Sequence, residues 1–410
     1  MSDKNDLQCL IVGGGPAGLV AGVLLARAGV RAHVLEKHAD FLRDFRGDTI
    51  HPSTMQLMHE LGWLDEFLQL PHEKVRQLGM IYGGTHLQLA DLSALPVAAP
   101  YIAMMPQWDF LNFLADKGRA YPGFSIDVRT EAVDLIRDGA RVSGVVAQTP
   151  QGERTYRAPL VIAADGRGSV MREKAQLKVR DLGAPMDVLW FRLDKSPEDG
   201  DETLGRIEPG HVFIKLNRGD YWQCAYVFPK GGVERVHAKG LDAFRQEVGW
   251  LAGVSAERTA KIGTWDDVKL LSVKIDRLER WHTPGLLCIG DAAHAMSPMG
   301  GVGVNLAIQD AVAAANLLWK PLKSRTADEC DSAAVEKRRR WPTVVTQNIQ
   351  VFMQNRLVAP SLAAQSVSVP PWPMRLMQRF PRLQRLPARL IGLGVRPEHV
   401  SDEIRRATGA

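Results

Sequence analysis

The sequence predicts an α/β fold: one domain on a parallel sheet, a smaller antiparallel-sheet lobe, and a helical C-terminal segment. Three observations carry this. The apolar run Leu7 to Val12 passes directly into Gly13, Gly15 and Gly18 and then into a stretch of helical length. Strand-like runs follow one another without helices between about residues 181 and 264. Helical periodicity returns at Val304 to Leu318, and the prolines beyond it (Pro370, Pro371, Pro373, Pro381, Pro387) favour several short helices over one long one.

Taken in order, Leu7 to Val12 suits a strand buried on both faces of a parallel sheet. Leu19 to Ala28 reads as a helix closed by Gly29, and Ala32 to Leu35 as a second strand ending at Glu36. Further helices are expected at Ser53 to Leu61 and Trp108 to Lys117. Strands are expected at Ser125 to Val128, Val142 to Gln148, Leu160 to Ala163, Met186 to Leu193, His211 to Leu216, Trp222 to Phe228 and Gly285 to Ile289. The resulting division places residues 1–70, 102–180 and 265–325 in the parallel-sheet domain. Residues 71–101 and 181–264 form the lobe, and 326–410 the helical region.

With 410 residues, 45% hydrophobic and 24% charged, the chain can bury a large core and form more than one lobe. The N-terminus is polar before Leu7, and no apolar run approaches the roughly 20 residues of a membrane helix, so a cytoplasmic location is expected. Cys9, Cys224, Cys288 and Cys330 lack paired spacing, which argues against a metal site and for small buried residues. The formal charge is +5, and basic residues thicken from Lys337 to Arg389. A solvated helical face is the expectation there, and no nucleic-acid partner is expected. Contact of that tract with a membrane surface is the minor alternative, because Arg375, Arg379, Arg382 and Arg385 are mixed with Trp372, Met374, Leu376, Met377, Phe380 and Leu383. A homodimer is the default assembly.

Gly13-x-Gly15-x-x-Gly18 between a strand and a helix is a dinucleotide fingerprint. Gly13 permits the tight turn, Gly15 lets the backbone approach a pyrophosphate, and Gly18 lets the helix pack close to the strand. Glu36 lies near the spacing of about 20 residues at which a carboxylate meets ribose hydroxyls. This Rossmann-like unit does not choose between NAD and FAD.

Two more motifs follow: Ala164-Asp165-Gly166 with Ser169 and Arg172, then Gly290-Asp291-Ala292-Ala293-His294 with Pro298, Gly300-Gly301-Val302-Gly303 and Asn305. With these three in this order, residues 7 to 325 resemble the class A flavoprotein monooxygenases typified by para-hydroxybenzoate hydroxylase. The resemblance implies FAD held by Gly13, Gly15, Ala17, Gly18, Glu36, Arg46, Gln107, Ala132, Asp165, Asp291, Pro298, Gly301, Val302, Gly303 and Asn305. Asp291 would meet the ribityl chain, and the Pro298 region would lie against the flavin ring. Asp165 and Arg172 either link FAD to nicotinamide binding, as the resemblance implies, or form a local salt bridge.

The activity implied is hydroxylation of an aromatic, phenolic or polycyclic substrate with O2 through a flavin hydroperoxide, with NADPH or NADH as transient donor. No second GxGxxG appears for a separate nicotinamide domain. If Trp222 to Phe228 is a strand, Trp222 and Tyr226 share a face with Cys224 and Phe228 that is either pocket lining or core. His211 and Tyr221 are further substrate-lining candidates, and no side chain is assigned as general base. Rival readings are another FAD oxidoreductase of this fold, a dehydrogenase or prenyl reductase, and a non-catalytic flavin-binding protein.

Overall fold

The computed structural model describes residues 7–41, 48–200, 203–366 and 369–407. Its centre is a six-stranded sheet in the order His282–Thr283, Leu286–Cys288, Val161–Ala163, Cys9–Val12, Ala32–Leu35, Phe124–Asp127. Five strands are parallel, and His282–Thr283 pairs antiparallel at the edge. Cys9–Val12 is buried along its whole length, as a central strand covered on both faces must be. The helices Pro16–Arg27 and Val302–Lys323 cover it, packed through Leu19, Val23, Ala311 and Ala315 among others in one continuous core.

The helix Met299–Lys323 is long and apolar enough by composition to cross a bilayer, contrary to the sequence expectation that no run qualifies. Its most apolar window is 72% buried inside the protein, which accounts for that character: it is a core helix.

The lobe is a seven-stranded sheet in the order Lys269–Leu271, Met186–Asp194, Tyr221–Pro229, His211–Asn217, Leu204–Glu208, Gln77–Tyr82, Thr85–Asp91. Pairing is antiparallel except between Leu204–Glu208 and Gln77–Tyr82, where the two chain segments of the lobe meet in parallel. Lys269–Leu271 extends the lobe beyond the expected boundary at 264. The run of strands is also interrupted, because Leu241–Ala252 is a helix that packs Phe244, Val248 and Leu251 on the sheet's outer face. A separate three-stranded sheet, Glu131–Asp138, Arg141–Thr149 and Gly152–Arg157, flanks the first domain.

The C-terminal region is helical. Glu329–Met353 is a single 25-residue helix, and Ala359–Ala363, Trp372–Arg379, Arg385–Gly392 and Asp402–Arg406 are short. Three cysteines are buried as expected, whereas Cys330 is exposed.

Candidate functional site: a cavity between the glycine loops and the lobe

Three neighbouring parallel strands end on one side of the sheet. Cys9–Val12 delivers Gly13, Val161–Ala163 delivers Ala164 and Asp165, and Leu286–Cys288 delivers Gly290 and Asp291. A crevice outside the carboxyl ends of parallel strands is where such sheets bind ligands. A cavity of about 590 Å³ opens there, bounded by these loops on one side and by the inner face of the lobe sheet on the other.

The glycines of the first loop have distinct duties. Gly13 has φ +106°, and a Cβ on it would stand 2.4 Å from the Ala164 carbonyl oxygen. A Cβ on Gly18 would lie 1.9 Å from the Gly13 oxygen. Gly13 therefore lets the first loop close against the end of the neighbouring strand Val161–Ala163, and Gly18 lets the helix pack on that loop. A Cβ on Gly15 would meet nothing within 4 Å, and Gly15, Pro16 and Ala17 line the cavity. The helix Pro16–Arg27 begins there with no acidic residue in its first turn, leaving its N–H groups and positive end to a phosphate. Glu36 is buried at the end of the next strand, accepting from Gly14 N at 2.9 Å and His38 N at 2.8 Å.

Asp165 caps its own loop, accepting from the Ser169 hydroxyl at 2.6 Å and Met171 N at 3.1 Å, and burial pushes its carboxyl above the usual range. The local salt bridge considered from sequence is absent among the described residues. Arg172 reaches instead to Asp276 at 3.4 Å and donates to the carbonyls of Arg167 (2.6 Å) and Ala292 (3.4 Å), tying the second loop to the third. Asp291 lines the cavity with Arg167, whose guanidinium lies 3.3 Å from Asp291 Oδ2. Sequence reading passed over Arg167. Its place between Gly166 and Gly168 was the available signal.

Pro298, Gly300, Gly301 and Gly303 line the cavity just before and within the start of the helix Val302–Lys323, with Val302 buried behind them. Gly301 has φ +64°, and a Cβ there would stand 2.6 Å from Thr49 Oγ1. Asn305 is buried one turn on. Its Oδ1 accepts from the hydroxyls of Ser53 and Thr54, and its Nδ2 has no partner among the described residues. A buried donor left unpaired is costly unless something else accepts from it. Open space at Gly15 and two helix N-termini facing one cavity together fit a dinucleotide lying from Gly15 to Gly303, whereas Asn305 is buried behind the second helix start and does not border that cavity.

On the lobe side the cavity wall is apolar, with Met80, Val188, Ile214 and Val227 among its residues, and is interrupted by one polar knot. Arg218, 5% exposed in its side chain, donates to the Asp48 carbonyl at 2.8 Å and to Gln223 Oε1 at 2.9 Å. Asp48 Oδ1 accepts from Gln107 N at 3.2 Å. Burial raises the Asp48 carboxyl although Arg218 pulls it down, and burial depresses Arg218. Trp190 also lines the cavity, and its buried indole N–H has no partner among the described residues. Sequence reading missed Arg218, Gln223 and Trp190.

The four substrate-lining candidates lie elsewhere. Trp222 and Tyr226 point to the opposite face of the sheet, into the core under Leu241–Ala252, where Trp222 donates to Asp199 at 2.8 Å and Tyr226 to Glu247 at 3.1 Å. Gln223, Ala225 and Val227, one residue out of step, face the cavity. His211 is bound to Glu247 and to the Pro209 carbonyl. Tyr221 lies beneath the Arg192 guanidinium, 3.7 Å from its ring centre. Ala132 is buried in the three-stranded sheet opposite Ala147 and does not border the cavity. Arg46 lies outside the described residues.

Comparison with known proteins agrees with this geometry. Residues 6–349 match the family described as FAD binding domain. The chain is 31% identical over 382 residues to a 6-methylpretetramide 4-monooxygenase of Streptomyces rimosus, covering 93% of this chain and 91% of that protein. It is 28% identical to the rifampicin monooxygenase of Streptomyces venezuelae over 76% of this chain, but spans only 63% of that longer protein. The solved structure of the OxyS anhydrotetracycline hydroxylase from Streptomyces rimosus shares the fold, with a TM-score of 0.73, 24% identity, and coverage of 96% of this chain and 77% of that one. The chain thus belongs to the FAD-binding family of flavin-dependent aromatic monooxygenases.

Proposed function

We propose that the chain uses FAD, NADH or NADPH, and O2 to hydroxylate a polycyclic aromatic substrate carrying a phenol or a comparable polar edge. The observation that carries this reading is the continuity of one cavity from the pyrophosphate loop to an apolar sheet face. The polycyclic class is supported by relatives named for 6-methylpretetramide, rifampicin and anhydrotetracycline.

FAD bound along the loops would supply the hydride acceptor and the site of O2 activation. The chain's residues bind and orient. Gly15 and the N-terminus of Pro16–Arg27 would hold the pyrophosphate, Glu36 would meet the adenosine ribose, and Asp291 would accept from the ribityl hydroxyls. The N–H groups at Gly301 and Gly303 would face the ring and favour negative charge there. Gln107 and Pro298 border the same space. Val188, Ile214 and Val227 hold the substrate rings and exclude water, while Arg218, Gln223 and Trp190 fix its polar edge. A buried cation beside a phenol favours the phenolate, the more electron-rich form to be oxidised. A cytoplasmic location accords with use of NAD(P)H.

The test is NADH and NADPH oxidation by the flavin-loaded protein across a panel of monocyclic and fused-ring phenols. Acceleration by fused-ring phenols above the unstimulated rate supports the reading. Acceleration by monocyclic phenols alone removes the polycyclic assignment.

A further inference from the structure

Charge is unevenly spread along this chain. Residues 337–397 hold eleven Lys and Arg and no Asp or Glu, leaving forty basic against 46 acidic residues elsewhere. Arg338, Arg339 and Arg340 are used internally, by Glu398, Asp310 and Glu336. Arg375, Arg379, Arg382 and Arg385 are exposed, and none has a carboxylate partner among the described residues.

Among these arginines stand the exposed apolar side chains Trp372 (69%), Leu376 (41%), Phe380 (54%), Leu383 (42%) and Leu386 (65%). Trp372, Leu376 and Phe380 are spaced by four along the helix Trp372–Arg379 and its C-cap, so they form one stripe, with Arg375 and Arg379 beside it. The inner side of the segment is already committed. Met374 and Met377 pack with Met80, Leu87 and Val358, and the Gln378 amide bonds both the N and the O of Gln88, at 3.3 and 2.7 Å. Ala388 packs beside Leu92 and Leu95. The outward ridge is therefore held in place by its own anchored back, and a contiguous exposed apolar patch of this kind marks an interaction surface.

We propose that the arginine-flanked ridge Trp372–Leu386 docks on the surface of an anionic lipid bilayer. Aromatic and aliphatic side chains on one face with arginines at its flanks match the two demands of such a surface: an apolar layer to enter and anionic headgroups to pair. A second copy of the chain fits less well, since two such faces would oppose arginine to arginine with no carboxylate in the tract. Nucleic acid would use the arginines and leave Leu376, Leu383 and Leu386 without a role. The docking stands apart from the proposed substrate and does not depend on it.

The experiment is co-sedimentation of the full chain, carrying its flavin, with vesicles of phosphatidylcholine alone or mixed with phosphatidylglycerol. The parent protein should pellet with the mixed vesicles, remain in the supernatant with phosphatidylcholine alone, and be released by salt. At about fivefold per arginine at an anionic surface, Arg375→Gln/Arg379→Gln/Arg382→Gln should weaken binding about 100-fold. Trp372→Ser/Phe380→Ser/Leu386→Ser should abolish it, with flavin content and melting temperature of both variants unchanged. Equal recovery in the supernatant with both vesicle types would overturn the proposal. So would binding that persists in both variants, conversion of a dimer to a monomer by the serine variant, or displacement from vesicles by nucleic acid that the serine changes leave intact.

Discussion

Arg339 and Asp310 meet wholly inside the protein, with Arg339 Nε 2.9 Å from Asp310 Oδ1 and neither side chain exposed. The other Asp310 oxygen accepts from Gly290 N at 3.1 Å and lies 2.5 Å from His294 Nε2. Arg339 also reaches Glu398 at 3.3 Å and donates to the Arg396 carbonyl at 3.1 Å. Burial would push the Asp310 carboxyl up, but His294 and Arg339 hold it below the usual range. One buried chain of charges thus runs from the C-terminal segment to the loop that carries Asp291.

Breaking it should be expensive. Removing one partner of a buried pair typically costs about 3–5 kcal/mol, because the other charge is left without compensation. Arg339→Met is expected to lose stability of that order in denaturant unfolding and to release flavin faster, since Gly290 is held by the same carboxylate. Unchanged unfolding would show that Asp310 is neutralised by His294 alone.

Asp291→Ala should separate binding from folding. Its contact with Arg167 is partly exposed and contributes about 0–1 kcal/mol. A carboxylate hydrogen-bonded to a ribityl chain contributes about 1.5–3 kcal/mol, or roughly tenfold to 100-fold in flavin retention. The measurement is flavin-to-protein absorbance after dialysis, beside a melt of the apoprotein. Purified variant that stays yellow at full stoichiometry would contradict the role given to Asp291.

Trp190→Phe keeps the ring and removes the unpartnered indole N–H. A net hydrogen bond contributes about 0.5–1.5 kcal/mol, so KM for the substrate should rise about twofold to tenfold with flavin content intact. Trp222→Phe, on the other face, should lower stability by losing its bond to Asp199 and leave KM alone. The reverse pattern would place the substrate on the wrong side of the sheet.

The His211–Glu247 pair predicts a pH dependence of stability. The hydrogen bond that His211 donates to Glu247 raises the imidazole above its ordinary value of 6.5. Burial alone would raise Glu247, but His211 and Lys239 bring it below 4.5. The histidine's contribution is present below pH 6.5 and is lost as pH rises through its elevated folded value. The carboxylate's is present above pH 4.5 and is lost as pH falls through its depressed one. The melting-temperature difference between the parent and Glu247→Gln should therefore be largest between pH 4.5 and 6.5 and shrink on either side. A difference that is flat with pH would show the pair to be uncharged.

The first domain was legible because its constraints are local. Gly18 and the apolar strand before it are forced by contacts within one strand–helix–strand unit, and the expected strand Ala32 to Leu35 matches to the residue. The lobe's cavity face was not legible. Trp222 to Phe228 is buried on both sides, so no polar alternation marks which parity faces the ligand. Arg339 was hidden for another reason: within Lys337–Arg340 it reads as one more surface cation, and its carboxylates, Asp310 and Glu398, are distant in sequence. The boundary at 264 failed similarly, since only pairing with Met186–Asp194 assigns Lys269–Leu271 to the lobe.

The measurement that tests the central claim most directly is product mass after turnover with NAD(P)H under isotopically labelled O2. The account predicts a substrate-dependent product heavier by one oxygen, with the label derived from O2 rather than water. Full flavin occupancy and rapid NAD(P)H consumption that yield only hydrogen peroxide, or a product whose added oxygen comes from water, would contradict it.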